Sequence, residues 1–297
     1  MSDIQSALDT LLDEPVHVIK TAVLSGGCIS NARQVTIQTA GGKRSVFVKD
    51  NSSSYLNNFD CEAVGLSELA DCSAIRVPQP LAVGRAAGRA WLISEWINES
   101  AKRDSFYHKL GVQLAKLHRQ SRGHEIGWHR DNFLGAAPQP NARCDRWAEF
   151  VALHRMGHQL RWAINQGHSD ELLTRDVNVI IQRMDDLLDG RADETSLLHG
   201  DLWSGNYLCD DMGRPVIIDP AVYRGCREAE FGMLKLFGSC PPEFYHAYQT
   251  AWPMPEGWER RTDIYVLYHL LNHLNLFGSG YLSQCRSLAS SILRRCQ

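Results

Sequence analysis

The sequence predicts an α+β protein with two lobes, a small antiparallel-sheet lobe that carries one internal helix and a large, mainly helical lobe. Runs rich in Val, Ile and Thr fill the first third of the chain, as is typical of strands. Later segments repeat their apolar residues at helical spacing, apart from one short strand-rich stretch near residue 200. The texture changes near Glu95 to Asn98, which predicts domains at residues 1–97 and 98–297.

The composition is that of an ordinary globular chain. Hydrophobic residues make up 44% and charged residues 22% of the 297 positions, enough for two lobes with cores of their own. The net charge of −3 and the lack of a basic block argue against nucleic-acid binding. The start MSDIQSALDT lacks the features of a signal peptide, and no apolar run has the length of a membrane span.

The nine cysteines predict neither a zinc site nor a disulfide framework, because none forms a CxxC pair and their spacing is irregular. We therefore expect a reducing compartment, the cytoplasm. The oligomeric state is left open by the sequence.

The elements of the small lobe follow in order. A short amphipathic helix is predicted in IQSALDTLL, and three strands in VHVIKTAVL, ARQVTIQTA and RSVFVKD. FDCEAVGLSELADC has helical spacing, since Phe59, Ala63 and Leu66 share one face. PLAVGR and AWLISEWI form a further strand pair around a glycine-containing turn. Together these segments supply the predicted sheet and its internal helix.

The large lobe is predicted from long helical repeats. DSFYHKLGVQLAKLHRQ places three leucines on one helix face. CDRWAEFVALHRMGHQLRWAINQG predicts one long helix that stops near Gly167, and DELLTRDVNVIIQRMDDLLDG predicts another that starts near Asp170. RTDIYVLYHLLNHLNLFG adds a further helix near the end of the chain.

The strand-rich stretch SLLHGDLWSGNYLCDDMGRPVIIDPAVYRG, residues 196–225, places polar groups where apolar strands end. Asp201 and Asn206 lie five positions apart in a polar turn, and Asp219 ends the second apolar run. This pattern suits phosphoryl transfer, which needs a base or orienting group for the attacking hydroxyl and oxygen ligands for Mg²⁺. Protein kinases show the same D-x₄-N spacing, with a second Asp after a short hairpin.

Two upstream residues fit the same plan. Lys49 ends the strand in FVKD, where its ammonium can reach nucleotide phosphates. Glu62 lies on the only long helix of the small lobe and is suited to pair with Lys49. Taken alone, Lys49 could be a solvated lysine at a strand end and Glu62 a charge on a helix surface. Their order and spacing relative to Asp201 favour the functional interpretation.

Nucleotide contacts are also predicted from the backbone. Gly26 and Gly27 in LSGGCISNA lie between two strands and let backbone N–H groups approach phosphate, although the sequence is not GxGxxG. ISEW ends a strand at the lobe boundary, where backbone groups of Glu95, Trp96 and Ile97 could read an adenine edge. We therefore expect ATP and Mg²⁺ as cofactors.

The longer motifs carry a specific resemblance. LLHGDLWSGNYL followed by IIDPAVYRGCREAEFGMLKLFG resembles the fructosamine/ketosamine-3-kinase family, and so do DNFLGAAPQPN and LYHLLNHLNLFGSGYL. The resemblance covers nearly the whole chain and implies an aminoglycoside-phosphotransferase-like, protein-kinase-like fold. It implies ATP-dependent phosphorylation of the sugar 3-hydroxyl of fructosamines or ribulosamines, on small molecules or on glycated proteins. The unstable 3-phosphate then sheds the sugar, so the activity serves deglycation.

The resemblance also implies roles for individual residues. By motif, Asp201 is the catalytic base, Asn206 and Asp219 bind Mg²⁺, and Lys49 with Glu62 holds the phosphates. These five residues form the predicted chemical centre.

Four further residues carry expectations of their own. Trp203 follows the predicted base closely and is expected to line the sugar site, with Tyr223 as a second candidate for the same wall. Cys28 lies beside the two glycines, where nearby positive charge could lower its thiol pKa and make it sensitive to oxidants. Glu230 stands where the family pattern has Asp, which puts in doubt a tight local role such as helix capping.

Two other functions remain open from the sequence. One is another small-molecule kinase of the same fold, acting on an aminoglycoside, choline or homoserine, because fold alone does not determine substrate. The segments DLWSGN and DPAVYRGCREAE favour the ketosamine substrate. The other is an inactive nucleotide-binding scaffold, against which the complete set of five chemical residues argues. The expected partner is a free or protein-linked ketosamine, with neither nucleic acid nor membrane.

Overall fold

The computed structural model describes most of the chain, namely residues 2–24, 29–191, 194–238 and 240–295. The predicted phosphate-loop residues Gly26, Gly27 and Cys28 lie outside the described residues. Within the described part, no helix combines the length and the apolar character needed to cross a membrane.

The first compact unit contains a five-stranded antiparallel sheet, in the strand order β1-β2-β3-β5-β4. The strands are β1 His17–Val23, β2 Asn31–Thr39, β3 Gly42–Ser52, β4 Pro80–Ala86 and β5 Arg89–Glu95. All five match the strand segments expected from the sequence, because their β-branched and aromatic residues suit a pleated, half-buried surface. Paired short strands lie elsewhere in the chain: β6 Asn132–Leu134, β7 Ala137–Gln139, β8 Ser196–Leu198, β9 Tyr207–Cys209, β10 Pro215–Ile217 and β11 Tyr223–Gly225.

Most of the helices lie in the second compact unit. The helices of both units, in chain order, are α1 Ser2–Leu11, α2 Leu56–Asp71, α3 Phe106–Gln120, α4 Trp147–Phe150, α5 His158–Asn165, α6 Glu171–Gln182, α7 Met184–Leu187, α8 Glu230–Leu236, α9 Pro242–Ala251, α10 Trp258–Phe277 and α11 Leu282–Arg294. Of these, α1 and α2 lie in the first unit. The sheet of one unit and the helices of the other confirm the predicted α+β class.

Two segments predicted as single helices are interrupted. Between α4 and α5 the backbone of Val151–Gly157 is a π-helix, and α6 is separated from α7 at Arg183. The start of α6 is as expected, since the Asp170 side chain accepts a hydrogen bond from the Leu173 N–H at 2.9 Å. Apolar periodicity continues across both interruptions, which is why the sequence predicted unbroken helices.

The sheet of the first unit is covered by a helix on each face. Val46 and Val48 of β3 belong to a buried cluster that includes residues of α1. Leu92 of β5 belongs to a second cluster with Phe59 of α2. Burying a side chain such as Phe59 contributes about 2 kcal/mol. Since neighbouring residues of a strand point to opposite faces, Lys49 points to the face covered by α2.

The chain forms two compact units, and the domain boundary at residue 97 stays a prediction. The first unit comprises Met1–Phe106 and Leu208–Pro220, and the second comprises Tyr107–Tyr207 and Ala221–Gln297. The later segment joins the first unit because the buried Asp210 carboxylate accepts hydrogen bonds from Arg76 at 2.9 Å and Arg214 at 2.8 Å. The bond between Arg76 and Asp210 joins positions 134 residues apart, which no local sequence pattern reveals.

Candidate active site

The loop after β8 holds the predicted base. Gly200 has a φ of +81°, and a Cβ at this position would lie 2.2 Å from the Ala221 carbonyl oxygen. Only glycine tolerates both the left-handed backbone and this close approach. The Ala221 N–H donates to the His199 carbonyl at 2.8 Å, which holds the two segments together. The middle residue of the motif HGD is therefore required by packing, next to Asp201.

Asp201 and Asn206 are brought together in this loop. The Asn206 Nδ2 donates to the Asp201 carbonyl at 2.8 Å and to the Asp201 Oδ2 at 3.1 Å. Asn206 is buried, and Asp201 is partly exposed. Because the amide nitrogen is used on Asp201, the Asn206 side-chain oxygen is left to act as an acceptor or metal ligand.

Glu230 of α8 binds the backbone of the same loop. Its carboxylate accepts hydrogen bonds from the His199 N–H at 2.6 Å and the Gly200 N–H at 3.0 Å, and it lies 3.5 Å from the His118 Nε2. Burial on its own would raise the pKa of Glu230, but His118 and His199 outweigh it, so the pKa of Glu230 lies below its usual range. Glu230 thus has a tight local role, in holding the loop rather than in capping a helix.

The contact between Glu230 and His118 continues into a buried series of hydrogen bonds. The His118 Nδ1 lies 2.9 Å from the Tyr248 hydroxyl, to which Arg227 donates at 3.2 Å. Burial lowers the pKa of His118 despite the attraction of Glu230, so the imidazole is neutral at physiological pH. Sequence reasoning assigned no such role to Glu230; the available signal was a carboxylate within the apolar run AEFGML.

The first unit brings Lys49, Glu62 and Asp219 together. The Lys49 ammonium lies 2.8 Å from the Glu62 Oε1 and 2.8 Å from the Asp219 Oδ1. Burial on its own would lower the pKa of Lys49, but Asp219 and Glu62 together raise it above its usual range. The pKa of Glu62 is raised to about 7, because its burial and the repulsion from the Asp219 carboxylate together outweigh the attraction of Lys49. Two carboxylates therefore share one ammonium.

Asp219 occupies an unusual backbone conformation. Its φ is +55°, in the left-handed region that residues with a Cβ rarely adopt. Its side chain is 42% exposed, in contrast to those of Lys49 and Glu62. Strained backbone of this kind persists where the surrounding structure holds it, and it is concentrated at functional sites.

The predicted adenine-binding backbone lies at the end of β5. The Glu95 N–H donates to the Gln79 carbonyl at 2.8 Å, so it is not available to an adenine edge. The Glu95 side chain bonds Arg76 at 2.5 Å, and the Trp96 indole donates to the Asn98 side chain at 2.9 Å. A backbone N–H for an adenine edge would therefore have to come from Trp96 or Ile97 rather than from Glu95.

The two predicted substrate residues differ in exposure. Trp203 is half-buried, and its ring lies so close over Gly205 that a Cβ there would be 2.5 Å away. Tyr223 is only 4% exposed and is enclosed by Trp147 and Arg155, with the Arg155 guanidinium carbon 4.3 Å from the Tyr223 ring centre. Trp203 can present a ring face to a ligand, whereas Tyr223 is part of the core of the second unit.

Within the described residues, no group of three or more His, Cys, Asp and Glu side chains is arranged to hold a metal ion. Mg²⁺ typically needs fewer protein ligands, one or two carboxylates completed by water and nucleotide phosphates. Asp219 and Asn206 offer oxygen atoms of the required kind, so the donor chemistry fits that ion.

Comparison with solved structures identifies the fold. A putative fructosamine-3-kinase from Thermobifida fusca has a TM-score of 0.87 at 29% sequence identity, covering 99% of both chains. An aminoglycoside phosphotransferase solved in a ternary complex with AMP-PNP and hygromycin B has a TM-score of 0.64 at 17% identity, covering 94% of both chains. The second likeness shows the fold alone, which is the protein-kinase-like fold expected from the sequence.

Sequence comparison identifies the family. A probable ketoamine kinase of Synechocystis is 37% identical over 281 residues, covering 95% of this chain and 92% of the relative. A chloroplastic protein-ribulosamine 3-kinase of Oryza sativa is 41% identical over 273 residues, covering 91% of this chain and 78% of the relative. The model of the fructosamine kinase family matches residues 1–295, and the chain belongs to that family.

Proposed function

We propose that this protein transfers the γ-phosphoryl group of ATP to the sugar 3-hydroxyl of a ketosamine, free or attached to a protein. The substrate class comprises fructosamines and ribulosamines, and loss of the sugar from the unstable 3-phosphate leads to deglycation. The observation that carries the proposal is the cluster of Lys49, Glu62 and Asp219 in a chain of the fructosamine kinase family. It combines a fixed cation for phosphate with a partly exposed carboxylate for a metal.

Lys49 acts as the phosphate-binding cation. Its ammonium is held between two carboxylates at 2.8 Å and stays charged, because those carboxylates raise its pKa. A fixed cation stabilises the charge on the phosphoryl oxygens without reorganising during the reaction. Glu62 keeps Lys49 in place when Asp219 turns to another ligand.

Asp201 accepts the proton of the attacking sugar hydroxyl and orients that hydroxyl. The donation from Asn206 to the Asp201 Oδ2 keeps the carboxylate in one orientation, and the anchor at Glu230 keeps the loop in place. Asn206 and Asp219 each supply an oxygen ligand for Mg²⁺, which neutralises charge on the nucleotide phosphates when bound.

Trp203 forms part of the sugar site. It is half-buried, two positions after Asp201 in the same loop, and its ring position depends on the small Gly205 beneath it. Aromatic faces pack against the C–H faces of sugars, and the indole N–H can donate to a sugar oxygen.

The test compares two carboxylate variants in an ATP-consumption assay with a synthetic fructosamine and a synthetic ribulosamine. We expect Asp201→Asn to slow transfer by roughly 10²–10⁴-fold while keeping nucleotide affinity, the usual range for a general base. Asp219→Asn should instead weaken Mg²⁺-dependent nucleotide binding, measured by calorimetry. Asp186→Asn, at a carboxylate that is 76% exposed, serves as the control.

Two outcomes would contradict the proposal. A parent protein that consumes no ATP with either ketosamine lacks the proposed activity. Loss of nucleotide binding in Asp201→Asn, with normal binding in Asp219→Asn, would reverse the assigned roles of the two carboxylates.

A further inference from the structure

A row of aromatic rings extends from the catalytic loop across the second unit. The ring centres of Trp203 and Phe237 are 5.5 Å apart, those of Phe237 and His273 are 5.0 Å apart, and those of His273 and Phe277 are 5.4 Å apart. Tyr281 contacts both of the last two rings, at 5.4 Å and 6.3 Å. We call these five residues the aromatic strip.

The backbone explains why the strip is continuous. His273 and Phe277 are four positions apart on α10, so their side chains lie on the same helix face. Gly278 ends this helix with a φ of +87°, and the turn that follows returns Tyr281 to the same two rings. Phe237 directly follows α8 and joins the strip to Trp203.

The strip is open to solvent along its length. Trp203, Phe237, His273 and Tyr281 are half-buried, and Phe277 is 55% exposed. Among the large apolar side chains exposed in the described residues, Phe277 is the one aromatic residue. Single exposed apolar residues are common on protein surfaces, but a connected row that begins beside a catalytic loop is a surface on which a ligand can lie.

The strip has a charge character that suits a cationic ligand. Burial lowers the pKa of His273 despite its hydrogen bond to the His269 carbonyl, so this ring is neutral near pH 7. Lys235 precedes Phe237 by two positions, and its ammonium is paired with Asp263 at 2.6 Å. The faces of aromatic rings carry partial negative charge and attract ammonium groups.

We propose that the aromatic strip beyond Trp203 binds the amine-linked carrier of the ketosamine, in the form of an extended peptide around a glycated lysine. This inference rests on the proposed function, because a ketosamine has three parts in a fixed order: the sugar, a secondary ammonium and the carrier. With the sugar at Trp203 and Asp201, the ammonium and then the carrier continue along Phe237, His273 and Phe277.

The experiment compares two substrates that share the sugar and differ in the carrier. One is the ketosamine of methylamine, whose carrier is a single methyl group. The other is the same sugar on a lysine inside a peptide, with leucine on either side. We expect Phe277→Ala to lower kcat/KM for the peptide about three- to tenfold, through KM, and to leave the methylamine ketosamine unchanged.

Matched variants separate this role from others. Phe277→Trp should retain the kcat/KM of the parent for the peptide, since it keeps an aromatic face at this position. Leu172→Ala removes an apolar side chain that is 51% exposed on α6 and should change neither substrate. The melting temperatures of all these variants should agree with that of the parent, because both Phe277 and Leu172 are exposed.

Three results would overturn the inference while leaving the proposed function intact. Equal losses on both substrates would place the ring at the sugar or in loop packing. An unchanged peptide kcat/KM in Phe277→Ala would remove the strip from carrier binding. A change of oligomeric state in Phe277→Ala, measured by sedimentation, would assign the strip to a second copy of the chain. If the parent phosphorylated neither ketosamine, the proposed function would fail and this inference with it.

Discussion

Two glutamates, the half-buried Glu62 in the first unit and the buried Glu230 in the second, differ in how their charge is compensated. The Glu230 side chain is 1% exposed and the Glu62 side chain 17%, yet the pKa of Glu230 is lowered while that of Glu62 is raised to about 7. Depth of burial therefore does not decide the sign of the shift. The hydrogen-bond donors and charges around each carboxylate decide whether its pKa is raised or lowered.

Glu230 accepts hydrogen bonds from donors that belong to the backbone. Two backbone N–H groups, those of His199 and Gly200, point at its carboxylate, and such groups cannot turn away or be neutralised. Glu62 depends on Lys49, which it shares with Asp219. The first arrangement is a permanent anchor for a loop. The second leaves a lysine that can exchange one partner for a phosphate, as a nucleotide site requires.

The largest expected effect comes from breaking the anchor with Glu230→Gln. The amide can accept only through one oxygen, and its NH₂ group would face a backbone N–H. We expect a loss of about 3–5 kcal/mol in the free energy of unfolding, because two buried hydrogen bonds to a charged acceptor, each worth about 1.5–3 kcal/mol, are disrupted. Urea denaturation measures it. Glu243→Gln, at an exposed position of α9, is the control.

A conservative change sharpens the same point. Glu230→Asp keeps the negative charge but shortens the side chain by one methylene, so it should retain more of the stability than Glu230→Gln does. If Glu230→Gln were as stable as the parent, the negative charge of Glu230 would not be what holds the loop.

The second effect concerns the shared ammonium. Lys49→Met should lower the rate of phosphoryl transfer by at least about 10²-fold, as expected when a preorganised charge at the reacting group is lost. The fold should survive, because Glu62 can take up a proton once Lys49 is gone. Transfer assays and circular dichroism measure the two quantities. Lys43→Met, at an exposed lysine of the same strand, should behave as the parent, and an unchanged rate in Lys49→Met would exclude Lys49 from the site.

The smallest effect is a difference in pH dependence. The pKa of Glu62 rises from an ordinary 4.5 to about 7 on folding, so between these pH values the folded protein binds more protons than the unfolded chain. The contribution of Glu62 to stability is therefore present below pH 4.5 and lost as the pH rises to about 7. In Glu62→Gln this loss, roughly 1–3 kcal/mol, should disappear.

Unfolding curves of parent and variant across that pH window provide the measurement. The difference in stability between the two should change steadily with pH and then level off above pH 7. Glu68→Gln on the same helix is the control. A constant difference across the window would mean that Glu62 remains ionised throughout and that Lys49 alone sets its pKa.

The parts of the fold that follow from local pattern were predicted from the sequence. The strands around Lys49 and the helix that carries Glu62 have strong local periodicity, and strand alternation alone directs Lys49 towards α2. The assigned roles of Asp201, Asn206 and Asp219 remain predictions. Arg183 shows the limit of the method, because apolar periodicity continues across the break between α6 and α7.

Features that depend on contacts distant in sequence were not predicted. Glu230 contacts the loop of His199 and Gly200 from some thirty positions away, and its local sequence does not indicate that two backbone N–H groups bind it. Tyr223 was predicted to line the sugar site, but Trp147 and Arg155, which are distant from it in sequence, enclose its ring. Such partners come together only in the folded chain.

The discontinuity of the first unit has a consequence for recombination. Arg76 pairs with Asp210, and Lys49 pairs with Asp219, across the 101 residues, Tyr107–Tyr207, that belong to the second unit. A single crossover between two related genes, placed anywhere in those residues, would draw the members of both pairs from different parents. Chimeras of this family would therefore need two crossovers, around the segment 107–207, to keep each ion pair within one ancestry.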